Sequence, residues 1–359
     1  MKITKETSII AAILIYIILV IAFSKEMAIS VLNSIEKCIK VIIPSLYIFM
    51  IISDFIITSN IYFVLAKPFS IVSRYIFRIS EQFFPLYIIS NIGGYPVGAK
   101  LISDMIKENK MDNNTAEAMM NYCYFSGPAF IIGIVGANIF SDIKVGIIVF
   151  ISLFITNLII AVSTGLNRTI PQSNTHTLEI DISVNVFIKS IYNGGKSIFY
   201  ICTIIVFFSS ILCIIESSGI ISIISGLIDK YTFLEYSDGI AIINSFIEIS
   251  NISLFESDVK NIPLITSLLS FGGLCILLQV KSIIPNLPLK NFILFRIIAM
   301  FLSYFICKLI CFITYDFISP VYSPAQLPHS QNSPIITLFL LIMTILFLLK
   351  FSIEKNRKI

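Results

Sequence analysis

Eight long apolar stretches constrain this sequence more than any other feature. Each is long enough to cross a bilayer as a helix, which needs about 20 apolar residues, and lipid allows only helices or closed barrels to span it. The charged fraction is 13% and the apolar fraction 57%, against about 25% and about 45–50% in soluble domains. We therefore predict an all-α membrane protein with about eight transmembrane helices. The stretches are 7–23, 31–58, 116–140, 144–165, 187–215, 262–282, 290–315 and 335–351.

Two shorter apolar stretches, 83–99 and 240–255, are interrupted by polar residues. Lys and Arg are enriched on the cytoplasmic side of membrane proteins. Most basic residues of this chain fall on the cytoplasmic side only if each short stretch enters and leaves the membrane on the same side. We therefore predict two re-entrant segments and cytoplasmic N- and C-termini. For 240–255 a full crossing remains the alternative.

An internal repeat relates two parts of the chain. Ser34-Ile35, followed by Lys40, recurs as Ser190-Ile191, followed by Lys196, and Phe125-Ser126-Gly127 recurs as Phe271-Gly272-Gly273. In the predicted topology the two parts have opposite orientations, and inverted repeats with broken helices are typical of secondary transporters. A chance match in an isoleucine-rich sequence is the alternative. The predicted divisions are an N-terminal transmembrane helix 1–27, a first repeat 28–166, a cytoplasmic linker 167–186, a second repeat 187–315, and an external loop with a C-terminal transmembrane helix and basic tail 316–359.

The segment 91–100 is the richest local signal. Its glycines and proline are poor helix formers and favour a tight turn. A helix that starts after the turn would direct free amides toward a bound anion, and Lys100 would add a positive charge. The alternative is that Lys100 only extends to the membrane surface. The candidate substrate-binding residues here are Asn91, Gly93, Gly94, Tyr95, Pro96, Gly98 and Lys100.

A second break is predicted in the middle of the stretch 116–140, at Ser126, Gly127 and Pro128. A proline kink that serves packing alone is the alternative reading. We expect the helix before this break to start at Asn114, with Glu117 completing a capping box.

The second half offers Glu248, Ser250 and Asn251, followed by Gly272, Gly273 and Gln279. A carboxylate at membrane depth is costly and indicates function, so Glu248 is a candidate for binding a cation, a proton or a substrate donor. The alternative is an interfacial loop with ordinary exposed acids. Five further charged residues lie within apolar stretches, most of them near the ends. They are interpreted as interface anchors, unless Lys196 or Arg296 faces the cavity: Asp54, Lys196, Glu216, Arg296 and Lys308.

Catalytic and metal-binding patterns are absent from the sequence. The seven cysteines form no CxxC pair, the two histidines lie in distant loops, and no phosphate-binding loop or nucleophile elbow occurs. The basic residues form no long run of the kind that binds nucleic acid. We predict no enzyme activity, no catalytic residues, no metal, no cofactor and no nucleic-acid partner.

Three motifs carry a resemblance to a known family. They are Gly93-Gly94-Tyr95-Pro96-x-Gly98-Ala99-Lys100, Ser126-Gly127-Pro128-x-Phe130-Ile131-x-Gly133, and Phe271-Gly272-Gly273 followed by Gln279. Together they resemble the YlbJ-type sporulation integral membrane proteins, also called stage V sporulation protein V, which are built on nucleoside-recognition (gate) domains. The resemblance extends over about residues 28–315. The chain departs from the family at Tyr124-Phe125, where a pair of asparagines is usual, and at Asn251, where glycine is usual.

The resemblance implies two gate repeats and a fold similar to that of concentrative nucleoside transporters. It also implies an endospore-forming bacterium, a place in the outer forespore membrane with both termini on the mother-cell side, and transport of dipicolinic acid, a small planar dianion. The expected partners are this anion and membrane lipid, and a homo-oligomer is left open. Two alternatives remain: a transporter of nucleosides or other small solutes, and a sporulation envelope scaffold that transports nothing.

Overall fold

A computed structural model describes residues 5–166, 179–232 and 234–314, and every regular element within these ranges is a helix. The all-helical class is therefore confirmed. The predicted loop 316–334 and span 335–351 lie outside the described residues, so the count of eight spans stays a prediction. Five helical segments of the described part are long and apolar enough to cross a membrane, and the fourth of them contains a break: Ser24–Thr58, Ile143–Leu166, Val184–Ser217, Val259–Ile283 and Leu289–Ile313.

The first half of the chain begins with two apolar helices, of which the second starts seven residues earlier than predicted. A π-helical turn over Cys38–Ile42 lies just before Pro44 in this second helix and accommodates the missing proline N–H within one continuous element. Short helical turns occupy 62–77. The helices are α1 (Lys5–Ala22), α2 (Ser24–Thr58), α3 (Phe84–Gly93), α4 (Tyr95–Lys107), α5 (Asn113–Met120), α6 (Pro128–Ile139) and α7 (Ile143–Leu166).

The second half repeats this order of elements. A long helix comes first, a region of short helix follows, two interrupted elements come next, and another long helix ends the series. A 3-10 turn over Ile249–Leu254 follows the first interruption. The helices are α8 (Val184–Ser217), α9 (Ile220–Tyr231), α10 (Tyr236–Ile247), α11 (Ile262–Phe271), α12 (Gly273–Ile283) and α13 (Leu289–Ile313).

The helices α2 and α8 pack against each other in antiparallel orientation. Ser30 contacts Ser209 near the start of α2, with 2.8 Å between hydroxyl oxygens, whereas Thr58 at its end contacts Ser190. Gly194 of α8 provides the close approach, because a Cβ there would lie 2.7 Å from an isoleucine side chain of α2. Equivalent helices that run antiparallel are what inverted repeats require. The orientation of both in a membrane stays a prediction.

The predicted break in 83–99 is confirmed at Gly94, which has a φ of +93°. Helices α3 and α4 meet there in a sharp V, since a Cβ built on Gly98 would lie 3.0 Å from the Cβ of Ser90, eight residues earlier. Only glycine adopts such a φ without strain. The chain therefore reverses direction at Gly94, as a re-entrant segment must.

The breaks predicted at Gly127–Pro128 and Gly272–Gly273 are also present. Irregular backbone at 121–127 separates α5 from α6, and two glycines with positive φ separate α11 from α12. The stretches 116–140 and 262–282, predicted as spans, are thus interrupted helices. The helix before the first of these breaks starts at Asn113, and its cap is Asp112, which accepts from the Thr115 amide. The predicted capping role of Asn114 is therefore wrong.

The re-entrant segment predicted at 240–255 corresponds to α10 and the turn after it. Helix α10 starts with a capping box formed by Glu235 and Asp238 and leaves the helical conformation at Glu248. It packs along α9, a helix that the sequence pattern did not predict. The re-entrant placement of this segment stays a prediction.

Candidate functional site

Lys100 lies at the centre of a buried charged cluster. Its ammonium is 2.5 Å from a carboxylate oxygen of Asp54 on α2 and 2.6 Å from one of Asp104, one turn further along α4. The second oxygen of Asp54 accepts from the Asn193 amide of α8 at 3.2 Å. Lys100 is 8% exposed and Asp54 is 3% exposed. The lysine head is therefore held inside the protein by two acids and does not extend to the surface.

This cluster lines a cavity of about 700 Å³, the Lys100 cavity. Three lysines and two aspartates face it, so the lining carries a net positive charge of one. Its walls come from α2 and α4 of the first half and from α8 and α12 of the second. A cavity between two structural units with a few convergent polar groups is the usual form of a small-molecule site. The lining residues include Met50, Asp54, Pro96, Lys100, Asp104, Lys107, Asn193, Lys196, Ser197, Tyr200 and Ser282.

Two of the predicted motifs meet beside this cavity. A Cβ on Gly94 would lie 3.2 Å from the backbone nitrogen of Gly127, and one on Gly98 would lie 2.0 Å from the carbonyl oxygen of Cys123. The glycines of the first break therefore let α3 and α4 contact the main chain of the second break directly. Ser126 is buried in this contact, and Pro128 starts α6.

The third predicted motif joins the same region through two tyrosines. The Tyr95 hydroxyl donates to the carbonyl of Leu269, and the Tyr124 hydroxyl donates to that of Phe271 at 2.9 Å. The tyrosine rings are 4.7 Å apart. Gly272 leaves the room that Tyr124 occupies, because a Cβ there would lie 2.1 Å from its hydroxyl oxygen. The breaks of the two halves are thus bonded to each other.

Arg296 of α13 is fully buried beneath these breaks, so its interpretation as an interface anchor is wrong. Its guanidinium donates to the main-chain carbonyls of Asn121 and Tyr124, the latter at 3.3 Å, and to that of Ser270 at 3.5 Å. The carbonyls of Asn121 and Ser270 lie at the ends of α5 and α11, where helix dipoles place partial negative charge. The guanidinium also lies 4.9 Å from the centre of the Tyr124 ring.

Glu248 lines a different cavity, of about 470 Å³, between α2, α8 and the 3-10 turn. Its carboxylate accepts from the backbone amide and the hydroxyl of Ser250. Lys37 donates to the Ser250 hydroxyl at 2.9 Å and to the Asn251 amide oxygen at 3.1 Å. Three glutamates and one lysine line this second cavity, which gives a net negative charge of two.

Lys100 and Glu248 therefore line separate cavities and do not share one site. Asp54 and Lys37, which mark the two cavities on α2, are 17 positions apart, or about 25 Å along a helix. The cavities lie toward opposite ends of the α2–α8 pair and carry opposite charge. Within the described part of the chain, no three His, Cys, Asp or Glu side chains are grouped to hold a metal ion.

Of the sixteen predicted substrate-binding residues, four line one of the two cavities: Pro96, Lys100, Glu248 and Asn251. The other twelve line neither, Asn91 and Gln279 among them. The Asn91 amide donates to the carbonyl of Tyr87 at 2.6 Å, and the Gln279 amide lies 3.4 Å from the sulfur of Cys275. Both are buried, and the side-chain oxygen of each has no hydrogen-bond partner. They belong to the packed interior around the breaks.

Comparison with known proteins finds a distant relative. The sporulation integral membrane protein YlbJ of Bacillus subtilis (strain 168) is 30% identical over 127 residues. That match covers 34% of this chain, and the chain spans 30% of the length of the relative. No family model matches the chain. No solved structure matches it either. The apolar helices and this relative identify an integral membrane protein.

Proposed function

We propose that this protein transports a small anionic metabolite across a bacterial membrane. The observation that carries the proposal is the Lys100 cavity, which both halves of the chain build beside a broken helix. Transporters bind their substrates at such places, where repeats meet and helices are discontinuous. Buried charge at membrane depth is costly and is retained for function.

The charges of the cavity favour an anion over a neutral solute. Lys100 of the first half and Lys196 of the second both line the cavity, together with the neutral polar side chains of Asn193 and Ser197. Ammonium groups in a site of low dielectric attract a carboxylate more strongly than they do in water. A small dianion could engage one lysine of each half with its two carboxylates.

We propose dipicolinic acid as this dianion, moved across the outer forespore membrane from the mother cell. The distant relationship to a sporulation protein supports the context, and the motif resemblance supports the substrate. In this proposal the segments 28–166 and 187–315 are gate repeats with a fold similar to that of concentrative nucleoside transporters, and both termini face the mother cell.

Binding to the purified full-length protein tests the proposal. Dipicolinate at increasing concentration should raise the midpoint of thermal unfolding, because a ligand that binds only the folded state stabilises it. Benzoate, with a single carboxylate, should do so less. Stabilisation by uridine or adenosine but not by dipicolinate would favour the nucleoside alternative. Absence of stabilisation by all of these compounds would favour the scaffold and contradict transport of a small anion.

A further inference from the structure

The second cavity, which Glu248 lines, has acids at its mouth and in its interior. Glu26 is in the first turn of α2 and Glu216 in the last turn of α8, so both lie at the same end of this antiparallel pair. Both are exposed, whereas Glu248 is 4% exposed. Glu248 contacts Ser250, which is bonded to Lys37. Lys37 is 11 positions after Glu26, or about 16 Å along a helix, so the acids are spread along the cavity.

The negative charge of this cavity is not balanced within the described part of the chain. Its lysine, Lys37, donates to the Ser250 hydroxyl and to the Asn251 amide oxygen. None of the described ion pairs involves a glutamate of the cavity. The dipole of α8 adds partial negative charge at the helix end beside Glu216. The cavity therefore attracts a cation.

A buried hydroxyl in the wall of the cavity lacks a partner. Ser34 is 6% exposed, lines the cavity, and has no hydrogen-bond partner for its hydroxyl oxygen among the described residues. Buried polar groups in native proteins are nearly always hydrogen-bonded, and one that is not is costly. Ser34 lies between Glu26 and Lys37 on α2. A ligand that extends along the cavity passes this hydroxyl and can donate an N–H to it.

The size and the walls of the cavity favour an organic cation over a metal ion. Its volume of about 470 Å³ is in the range of small-molecule sites and far exceeds what one ion fills. Its acids are also not grouped as metal ligands. Four aliphatic side chains form much of the remaining wall: Ile29, Ile205, Leu212 and Leu254. A methylene chain that carries separate ammonium groups matches both the acids and these apolar walls.

We propose that the second cavity binds an aliphatic diamine or polyamine. One ammonium lies at the mouth, at Glu26 and Glu216, and another lies further in, near Ser34 and Glu248. Two positive charges neutralise the net negative charge of two on the lining, and ammonium–carboxylate hydrogen bonds are stronger than neutral ones. This site is separate from the Lys100 cavity, so the inference goes beyond the proposed anion transport and does not depend on it.

Isothermal titration calorimetry of the purified full-length protein, in neutral detergent at low salt, tests the inference. Spermidine should bind more tightly than 1,4-diaminobutane. Butylamine, which has the same chain as diaminobutane but a single ammonium, should bind at least about fivefold more weakly than diaminobutane, because it forms fewer charge-assisted hydrogen bonds. Butylamine that binds as tightly as the diamine would overturn the inference. Binding of Na⁺ or Mg²⁺ but of no amine would also overturn it, as would absence of any binding.

Three variants separate this site from general attraction of cations. Glu216→Gln should weaken spermidine binding at least about threefold, in the range of an exposed ion pair. Glu36→Gln, which removes an exposed carboxylate of α2 outside the cavity, should keep the wild-type affinity. Ser34→Ala should weaken binding at least about threefold without lowering the thermal midpoint, because the free protein loses no hydrogen bond.

An affinity that neither Glu216→Gln nor Ser34→Ala changes would overturn the inference, as would an equal loss in Glu36→Gln. Dipicolinate is absent from these titrations. The proposed anion transport is therefore tested separately, and either result can fail without the other.

Discussion

Gly98 of α4 packs directly against the main chain of Cys123. Replacing Gly98 with alanine therefore tests the described contact between the two breaks. A Cβ at this position would lie 2.0 Å from the carbonyl oxygen of Cys123. Real Cβ contacts are not shorter than 3.0 Å, so the backbone at 121–127 would have to move by about 1 Å in a densely packed interior. Overpacking of this kind costs about 1–3 kcal/mol, and the upper end applies because main chain is displaced.

The helix itself gains about 1 kcal/mol from the change of glycine to alanine, which leaves a net loss of about 2 kcal/mol. At roughly 2–4 °C per kcal/mol, Gly98→Ala should lower the thermal midpoint by about 4–8 °C. Gly226→Ala in α9 is the matched control, because nothing lies within 4 Å of a Cβ there, and it should be neutral or stabilising. Differential scanning fluorimetry of both variants in detergent measures the difference. Equal midpoints would refute the described contact.

Three further predictions concern stability and use the same melting assay. Gly272→Ala should lower the midpoint more than Gly219→Ala. Both glycines have positive φ, but only Gly272 has a tyrosine hydroxyl in the space that a Cβ needs. Equal losses would show that backbone strain alone lowers the midpoint. Lys37→Met should cost about 1–3 kcal/mol, because it removes the ammonium that donates to the buried Ser250 hydroxyl and to the partly buried Asn251 amide oxygen. Lys40→Met removes an exposed ion pair and should cost less than about 1 kcal/mol; the reverse order would contradict the second cavity. Arg296→Lys should cost about 1–3 kcal/mol, because a single ammonium cannot replace the planar fork that reaches carbonyls at two helix ends; an unchanged midpoint would contradict that role.

The breaks in the helices were predictable from sequence because they depend on local backbone chemistry. Gly94, Gly127 and Gly272 stand beside prolines or other glycines inside apolar stretches, and these residues disfavour a continuous helix wherever they occur. The apolar stretches likewise predicted most of the long helices. The cap of α5 was misassigned by two residues, because Asp112 and Asn114 are both good capping residues and the pattern does not rank them.

The partners of the buried charges were not predictable, because they lie far apart in the chain. Lys100 was recognised as a candidate, but Asp54 is 46 positions earlier, and a single sequence gives no sign that they meet. Arg296 satisfies carbonyls that belong to α5 and α11. In the sequence, Arg296 lies inside an apolar stretch, three residues before Ala299. A charged residue that anchors a helix at the membrane surface can have the same sequence surroundings. Only the packing of α13 beneath the breaks distinguishes the two.

Transport through the Lys100 cavity is the central claim, and uptake into proteoliposomes tests it most directly. Vesicles with wild-type protein should accumulate labelled dipicolinate faster than empty vesicles. A double variant, Lys100→Met with Asp54→Asn, removes the ammonium without leaving a buried carboxylate unpaired, and its uptake should fall at least about tenfold, which corresponds to about 1.4 kcal/mol. Lys40→Met, which changes an exposed lysine, should keep the wild-type rate. Uptake by the double variant at the wild-type rate would contradict the claim.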